Sequence, residues 1–164
     1  MTIRDWDGVA LIIGAGGIGK CMSDYLTTIS PKLDVFVCGR NLKSKNAIYL
    51  DLENDHSFIS FEKQISLFNK PLRLVINTSG FLHSTHLKPE KRLSHISRSN
   101  IIKNFSINAI APILIAKSIA IRIYNEFWHE CYSVPIIRFI TPALDTLLGK
   151  GTGMKSARAY LSRV

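Results

Sequence analysis

Apolar runs with two different periods alternate along the chain and predict strands and helices in turn. Gly8-Val9-Ala10-Leu11-Ile12-Ile13 is a continuous run, rich in β-branched residues, that closes on glycines, which predicts a buried strand. Met22, Tyr25, Leu26 and Ile29 then recur at helical spacing. Ser30-Pro31-Lys32 ends that helix, and Leu33-Asp34-Val35-Phe36-Val37-Cys38 predicts a second strand ending at Gly39-Arg40-Asn41. Ala47-Ile48-Tyr49-Leu50 predicts a short third strand. Phe58, Phe61, Ile65 and Phe68, with Glu62, Lys63 and Gln64 between them, predict an amphipathic helix whose aromatics belong to the core.

Leu72-Arg73-Leu74-Val75-Ile76 predicts the fourth strand, and Asn77-Thr78-Ser79-Gly80 a turn after it. Phe81 to Ser99 is polar and basic and reads as a surface loop that flanks a ligand. From Ser99 to about Glu130 runs the longest helical pattern, with Ile101, Phe105, Asn108, Pro112 and Ile115 on one expected stripe. Pro112 removes the backbone bond to the carbonyl of Asn108, which predicts a local kink. Val134-Pro135-Ile136-Ile137-Arg138-Phe139-Ile140-Thr141 predicts a fifth strand. Residues 142–164 read as an irregular tail: Gly149-Lys150-Gly151-Thr152-Gly153 is a loop, and Met154 to Val164 a short basic helical candidate.

Strands alternating with helices predict an α/β fold: a Rossmann-like, doubly wound, mainly parallel sheet of five strands in the order 3-2-1-4-5, in three αβα layers. At 164 residues the chain is about one domain long. Its 46% hydrophobic and 20% charged residues exclude a disordered chain. The net charge of +9 favours anionic ligands on encounter, but no aromatics interleave with the basic residues, so nucleic acid is not expected as a partner. Cys21, Cys38 and Cys131 are isolated, which suits a reducing cytoplasm and suggests neither disulfides nor zinc. Arg4, Asp5 and Asp7 precede an apolar run too short for a signal peptide. Ile107 to Ile121 is broken by Asn108, Pro112 and Lys117, so no membrane span is expected. His83-x-x-His86 lacks the companion ligands of a metal site, and no metal is expected.

The chemistry gathers on the predicted strand ends. Gly14-Ala15-Gly16-Gly17-Ile18-Gly19 fits G-x-G-x-x-G between strand and helix, where glycines permit a tight turn and let backbone approach a pyrophosphate. A helix N-terminus adds free N–H groups and a favourable dipole for that anion. At the end of the second strand an acid would accept from a ribose 2′-hydroxyl, whereas an Arg accommodates a 2′-phosphate; the chain offers Arg40, then Asn41, and no acid there. The alternative is an Arg that leaves the sheet edge for solvent. Asp51, followed by Leu52, either accepts from an adenine amino group or caps the next helix. The small polar residues Asn77, Thr78 and Ser79 shape a cofactor floor, with Gly80 letting the backbone pass close to a ligand, or the four simply turn the chain. Asn108, an amide on an apolar stripe, needs partners and is either a structural amide or part of a relay through the freed carbonyl.

The glycine turn, Gly39-Arg40, Asp51, Asn77-Thr78-Ser79-Gly80 and Phe105-Ser106-Ile107-Asn108-Ala109 occur in the order and spacing of a short-chain dehydrogenase/reductase. Gly80-Phe81-Leu82-His83 and Lys88-Pro89-Glu90-Lys91 resemble the C-factor-like group within that superfamily. The resemblance covers about residues 8 to 141. It implies an NAD(P)-binding domain spanning 1–164, NADP(H) in preference to NAD(H), a small-molecule carbonyl or alcohol substrate, and homo-oligomers formed through the long helices. It further implies that the glycine turn holds pyrophosphate, Asp51 meets adenine, Asn77 to Gly80 brace the central sheet, and Asn108 joins a proton relay. The catalytic Ser of the family falls nearest to Thr141 here, with Thr146 second.

Three departures stand out. The family turn is usually Gly-x-x-x-Gly-x-Gly, one residue longer than this one. The Tyr-x-x-x-Lys pair is missing: Met154 and Arg158 stand where it could fall, and Met cannot exchange a proton. The chain also stops before the family's last two strands, so the fold is expected to be incomplete at its C-terminus. Two functions are therefore expected: an NADP(H)-dependent oxidoreductase, or a nucleotide-binding remnant that acts through protein contacts.

Overall fold

The computed structural model describes residues 2–82, 92–129 and 136–139, with the backbone path alone for 121–129 and 136–139. A parallel sheet of five strands forms its centre, in the order β3-β2-β1-β4-β5. In chain order the elements are β1 (Gly8–Ile13), α1 (Gly17–Ile29), β2 (Leu33–Gly39), β3 (Ala47–Tyr49), α2 (Asp55–Ser66), β4 (Leu72–Asn77), α3 (Arg98–Phe105), α4 (Ala111–His129) and β5 (Ile136–Phe139). The expected strand order is the observed one. Crossovers explain it: parallel neighbours need connections that leave the sheet and return, and α1 carries the chain from β1 to β2 while α2 carries it from the edge strand β3 back past β1 to β4.

Every residue of β1 is buried, because β1 lies between β2 and β4 and is covered on both faces. Ala10 and Ile12 face Met22 and Leu26 of α1 together with Leu74 and Ile76 of β4. Val9, Leu11 and Ile13 face the other way, onto Phe58, Phe61 and Ile65 of α2 and Ala111, Ile115 and Ile119 of α4. These are the three layers. Phe68, just beyond α2, stacks on Phe36 with centroids 4.6 Å apart, so the aromatics expected in the core are there.

One stripe differs from expectation. Ile101 and Phe105 are exposed (44% and 62%), and the buried face of the long helix is Ile107, Ala111, Ile115, Ser118 and Ile119. The cause is a π-helical turn over Ser106–Ile110, in which the Ala111 N–H donates to Ser106 O. A π turn takes one more residue than an α turn, so positions before it rotate out of phase with those after it. The turn ends two residues before Pro112, which supplies no N–H.

Two features hold the margins. A 3-10 turn at Ile3–Asp5, not foreseen from the pattern, tucks Ile3 into the core below α1, where the buried Ser30 hydroxyl donates to the Ile3 carbonyl. At the N-terminal ends of the strands, Lys70 Nζ lies 3.2 Å from both Asp34 and Asp7, and these carboxylates, Asp34 first, hold its ammonium above the ordinary lysine range. The opposite ends of the strands carry the glycine turn. No helix among the described residues is long and apolar enough to cross a membrane.

Candidate functional site

The turn between β1 and α1 is locked by its neighbour strand. Gly14 has φ +102°, its N–H donates to Cys38 O at 2.9 Å, and a Cβ there would lie 2.9 Å from Ser79 N. Thr78, at the end of β4, donates its N–H to Ile13 O (2.8 Å) and turns its hydroxyl onto the carbonyls of Ile13 (3.0 Å) and Gly14 (3.2 Å). Gly19 is the contact between helix and turn: a Cβ there would come 1.8 Å from Gly14 O. Glycine is required at both positions for these reasons.

Gly16 and Gly17 are different. A Cβ at either would meet nothing within 4 Å. Gly16 is the N-cap of α1 without a side chain to satisfy the first-turn N–H groups, so the positive end of α1 opens onto free space. That space is a cleft of ≈ 420 Å³ along the C-terminal strand ends, between the glycine turn, the end of β2, the β3–α2 loop and the loop after β4. It is where ligands bind in an open α/β sheet.

Of the residues singled out from sequence, Gly14, Ala15, Gly16, Arg40, Asn41, Asp51, Leu52, Ser79 and Gly80 line this cleft. Gly17, Ile18 and Gly19 form the first turn of α1 beside it. The turn, one residue shorter than the family pattern, still delivers the helix end to the cleft. Asp51 does not cap α2: Asn54 does, accepting from His56 N at 3.0 Å. Asp51 Oδ1 instead accepts from Glu53 N at 3.1 Å, while the Asp51 carbonyl takes the Ser57 hydroxyl at 2.6 Å, which fixes the loop that presents the carboxylate. Asn77 is fully buried, and its Oδ1 accepts from Ser79 N (3.0 Å) and Ser79 Oγ (2.5 Å). Its Nδ2 has no partner among the described residues.

Asn108 lies outside the cleft lining but acts on it. Its Oδ1 accepts from Phe81 N at 2.8 Å and its Nδ2 donates to Phe81 O at 2.6 Å, so one amide clasps the backbone of a cleft residue from both sides. The exposed face that the π turn gives Asn108 makes that reach possible. Thr141 and Thr146, the pair His83 and His86, Met154 and Arg158 lie outside the described residues.

The structure adds residues the pattern did not mark. Cys38, Leu42, Leu50, Glu53, Phe81 and Ile107 also line the cleft, beside Thr78 of the expected turn. Burial pushes the Cys38 thiol far up, so it stays neutral. No acid stands at the end of β2 itself, but the β3–α2 loop brings Glu53 Oε2 to 3.9 Å from Arg40 Nη1.

No protein-family model and no curated protein matches the chain. Solved structures do. A short-chain dehydrogenase/reductase from Saccharomyces cerevisiae superposes with a TM-score of 0.65 at 15% identity, covering 81% of this chain and 53% of its own. An oxidoreductase of the same family from Brucella ovis, in complex with a partially ordered NAD, gives 0.57 at 16% identity over 69% of this chain and 56% of its own. The chain shares the Rossmann-like α/β fold of these structures. The chain spans about half the length of these structures. A structure described as ribose-5-phosphate isomerase from Brucella melitensis matches as well, with a TM-score of 0.63 at 15% identity over 77% of this chain and 50% of that one. The fold alone therefore does not name a reaction.

Proposed function

We propose that residues 1–164 form the NAD(P)-binding domain of an oxidoreductase of the short-chain dehydrogenase/reductase type, C-factor-like in its sequence, with NADP(H) preferred to NAD(H). The observation that carries this reading is the bare helix end: Gly16 and Gly17 leave open space at the positive terminus of α1, where a pyrophosphate would receive backbone N–H groups. The cleft residues fit the rest of a dinucleotide. Asp51, oriented by its own loop, would accept from the adenine amino group. Arg40 and Asn41 at the end of β2 would take the 2′-phosphate, and Ser79 and Gly80 would floor the pocket. The bound nicotinamide would supply hydride exchange with a small carbonyl or alcohol. The clasp of Asn108 on Phe81 would hold the wall beside the reacting end, and Thr141 is the proposed hydroxyl there.

Residues 142–164 are read as an irregular tail, and a cytoplasmic location follows from three isolated cysteines. Exposed Ile102, Phe105 and Ile113 on the long helix support self-pairing, which light scattering of the purified protein would reveal as a dimer or larger. A second reading, binding without turnover, rests on Met154 and Arg158 in place of Tyr and Lys. One experiment separates the two: titrate NADPH by calorimetry, then follow its oxidation at saturation with a panel of aldehydes and ketones. Binding with turnover supports the oxidoreductase, binding alone supports the second reading, and absence of binding refutes both.

A further inference from the structure

Three elements meet at the adenosine side of the cleft through one oxygen atom. Glu53 Oε2, on the β3–α2 loop, lies 3.9 Å from Arg40 Nη1 and 3.3 Å from Lys103 Nζ of α3. The Lys103 ammonium also stands 5.1 Å from the ring centroid of Phe81, which lines the same cleft. The side chains of Glu53 and Lys103 are about two-thirds covered (32% and 33% exposed), whereas Arg40 is 63% exposed. An ion pair at that depth is screened less than one in open solvent.

The consequence follows from charge. A phosphate approaching Arg40 meets a cation that already has a counter-ion, and the carboxylate repels it. A hydroxyl in the same place meets no such repulsion and finds an acceptor. Were Glu53 uncharged, Arg40 and Lys103 would together offer two unbalanced cations to the phosphate.

We propose that Glu53 is a selectivity determinant of this cleft: as the shared counter-ion of Arg40 and Lys103 it restrains the preference for a 2′-phosphorylated dinucleotide, and Lys103 is the second cation that such a phosphate recruits. This rests on the dinucleotide-binding reading above. It predicts that the protein discriminates only modestly between the two dinucleotides, and that removing one negative charge sharpens the discrimination.

The test is calorimetric binding of NADPH and of NADH to the full chain and to its Glu53→Gln and Lys103→Gln variants, each checked for native circular dichroism. Glu53→Gln is expected to tighten NADPH about tenfold while NADH stays within about twofold. Lys103→Gln is expected to weaken NADPH about fivefold with NADH again within about twofold. Parallel shifts for both dinucleotides, or no shift in either variant, overturn the inference and leave the dinucleotide-binding reading standing. Failure of the unaltered chain to bind either dinucleotide overturns that reading and the inference with it.

Discussion

Two glycines two positions apart on one helix turn should respond to the same substitution in opposite ways. At Gly19 a methyl group would lie 1.8 Å from Gly14 O and 2.9 Å from Thr78 Oγ1. The first of these is backbone, itself held by Thr78, so relief requires α1 to move off the sheet. Overpacking of this kind costs about 3 kcal/mol, and with a urea m-value of roughly 2 kcal/mol per M the midpoint of Gly19→Ala should fall by about 1.5 M. At Gly17, the first residue of α1, the methyl meets nothing, and the better helix propensity of Ala should stabilise the fold by up to about 0.5–1 kcal/mol. That methyl nevertheless fills the space in front of the helix end. Gly17→Ala should therefore unfold at the same or higher urea and bind NADPH at least about tenfold more weakly. Urea unfolding followed by circular dichroism, with calorimetric titration of the same preparations, measures both quantities. A Gly17→Ala protein that binds like the unaltered chain refutes the pyrophosphate assignment, and a Gly19→Ala protein with an unchanged midpoint refutes the packing argument.

Other outcomes follow from single contacts. Asn108→Ala deletes both bonds to Phe81, and because the site is exposed the loss in stability should stay near 1 kcal/mol, while hydrogen exchange at residues 80–82 becomes faster; unchanged exchange there would show that the clasp does not order the loop. Asn54→Ala removes the cap that accepts from His56 N and should cost about 1 kcal/mol in urea unfolding, with no effect expected if α2 is held by packing alone. Burial raises the folded Cys38 thiol above its unfolded value, so its contribution is complete at neutral pH and is lost as pH rises beyond about 8.5, where the unfolded thiol ionises. In a Cys131→Ser background, stability should decline above that pH, Cys38→Ala should flatten the decline, and a disulfide reagent should label half-buried Cys21 in the native protein and leave Cys38 untouched.

The strands were legible because a parallel sheet buries them on both faces, which leaves runs such as Val9–Ile13 and Leu74–Ile76 that resemble little else. The glycine turn was legible for the same local reason: turn, helix start and strand end are contiguous. The stripe of the long helix was misplaced because periodicity assumes one helix geometry, and the Ser106–Ile110 turn changes it midway. Asn108 could be flagged as an amide in need of partners, but its partner Phe81 is visible only once the loop after β4 folds back. Glu53 escaped because the pattern places an acid at the end of β2, whereas the chain brings one there from beyond β3. What the Thr78 hydroxyl holds was not legible, because it acts across the β1–β4 pairing, which exists only in the folded sheet.

The position of β1 also dictates how the protein must be made. Its two partners are separated along the chain: β2 follows α1 directly, but β4 begins only at Leu72. At a synthesis rate of roughly 5–20 residues per second, Val9–Ile13 waits several seconds on the ribosome with one edge unpaired and one face uncovered. A wholly apolar, β-branched segment in that state is a template for pairing with another nascent chain. Slow translation between Cys38 and Leu72 should thus favour inclusion bodies over folded product, and a chaperone that holds the first strand until the fourth emerges should rescue the yield.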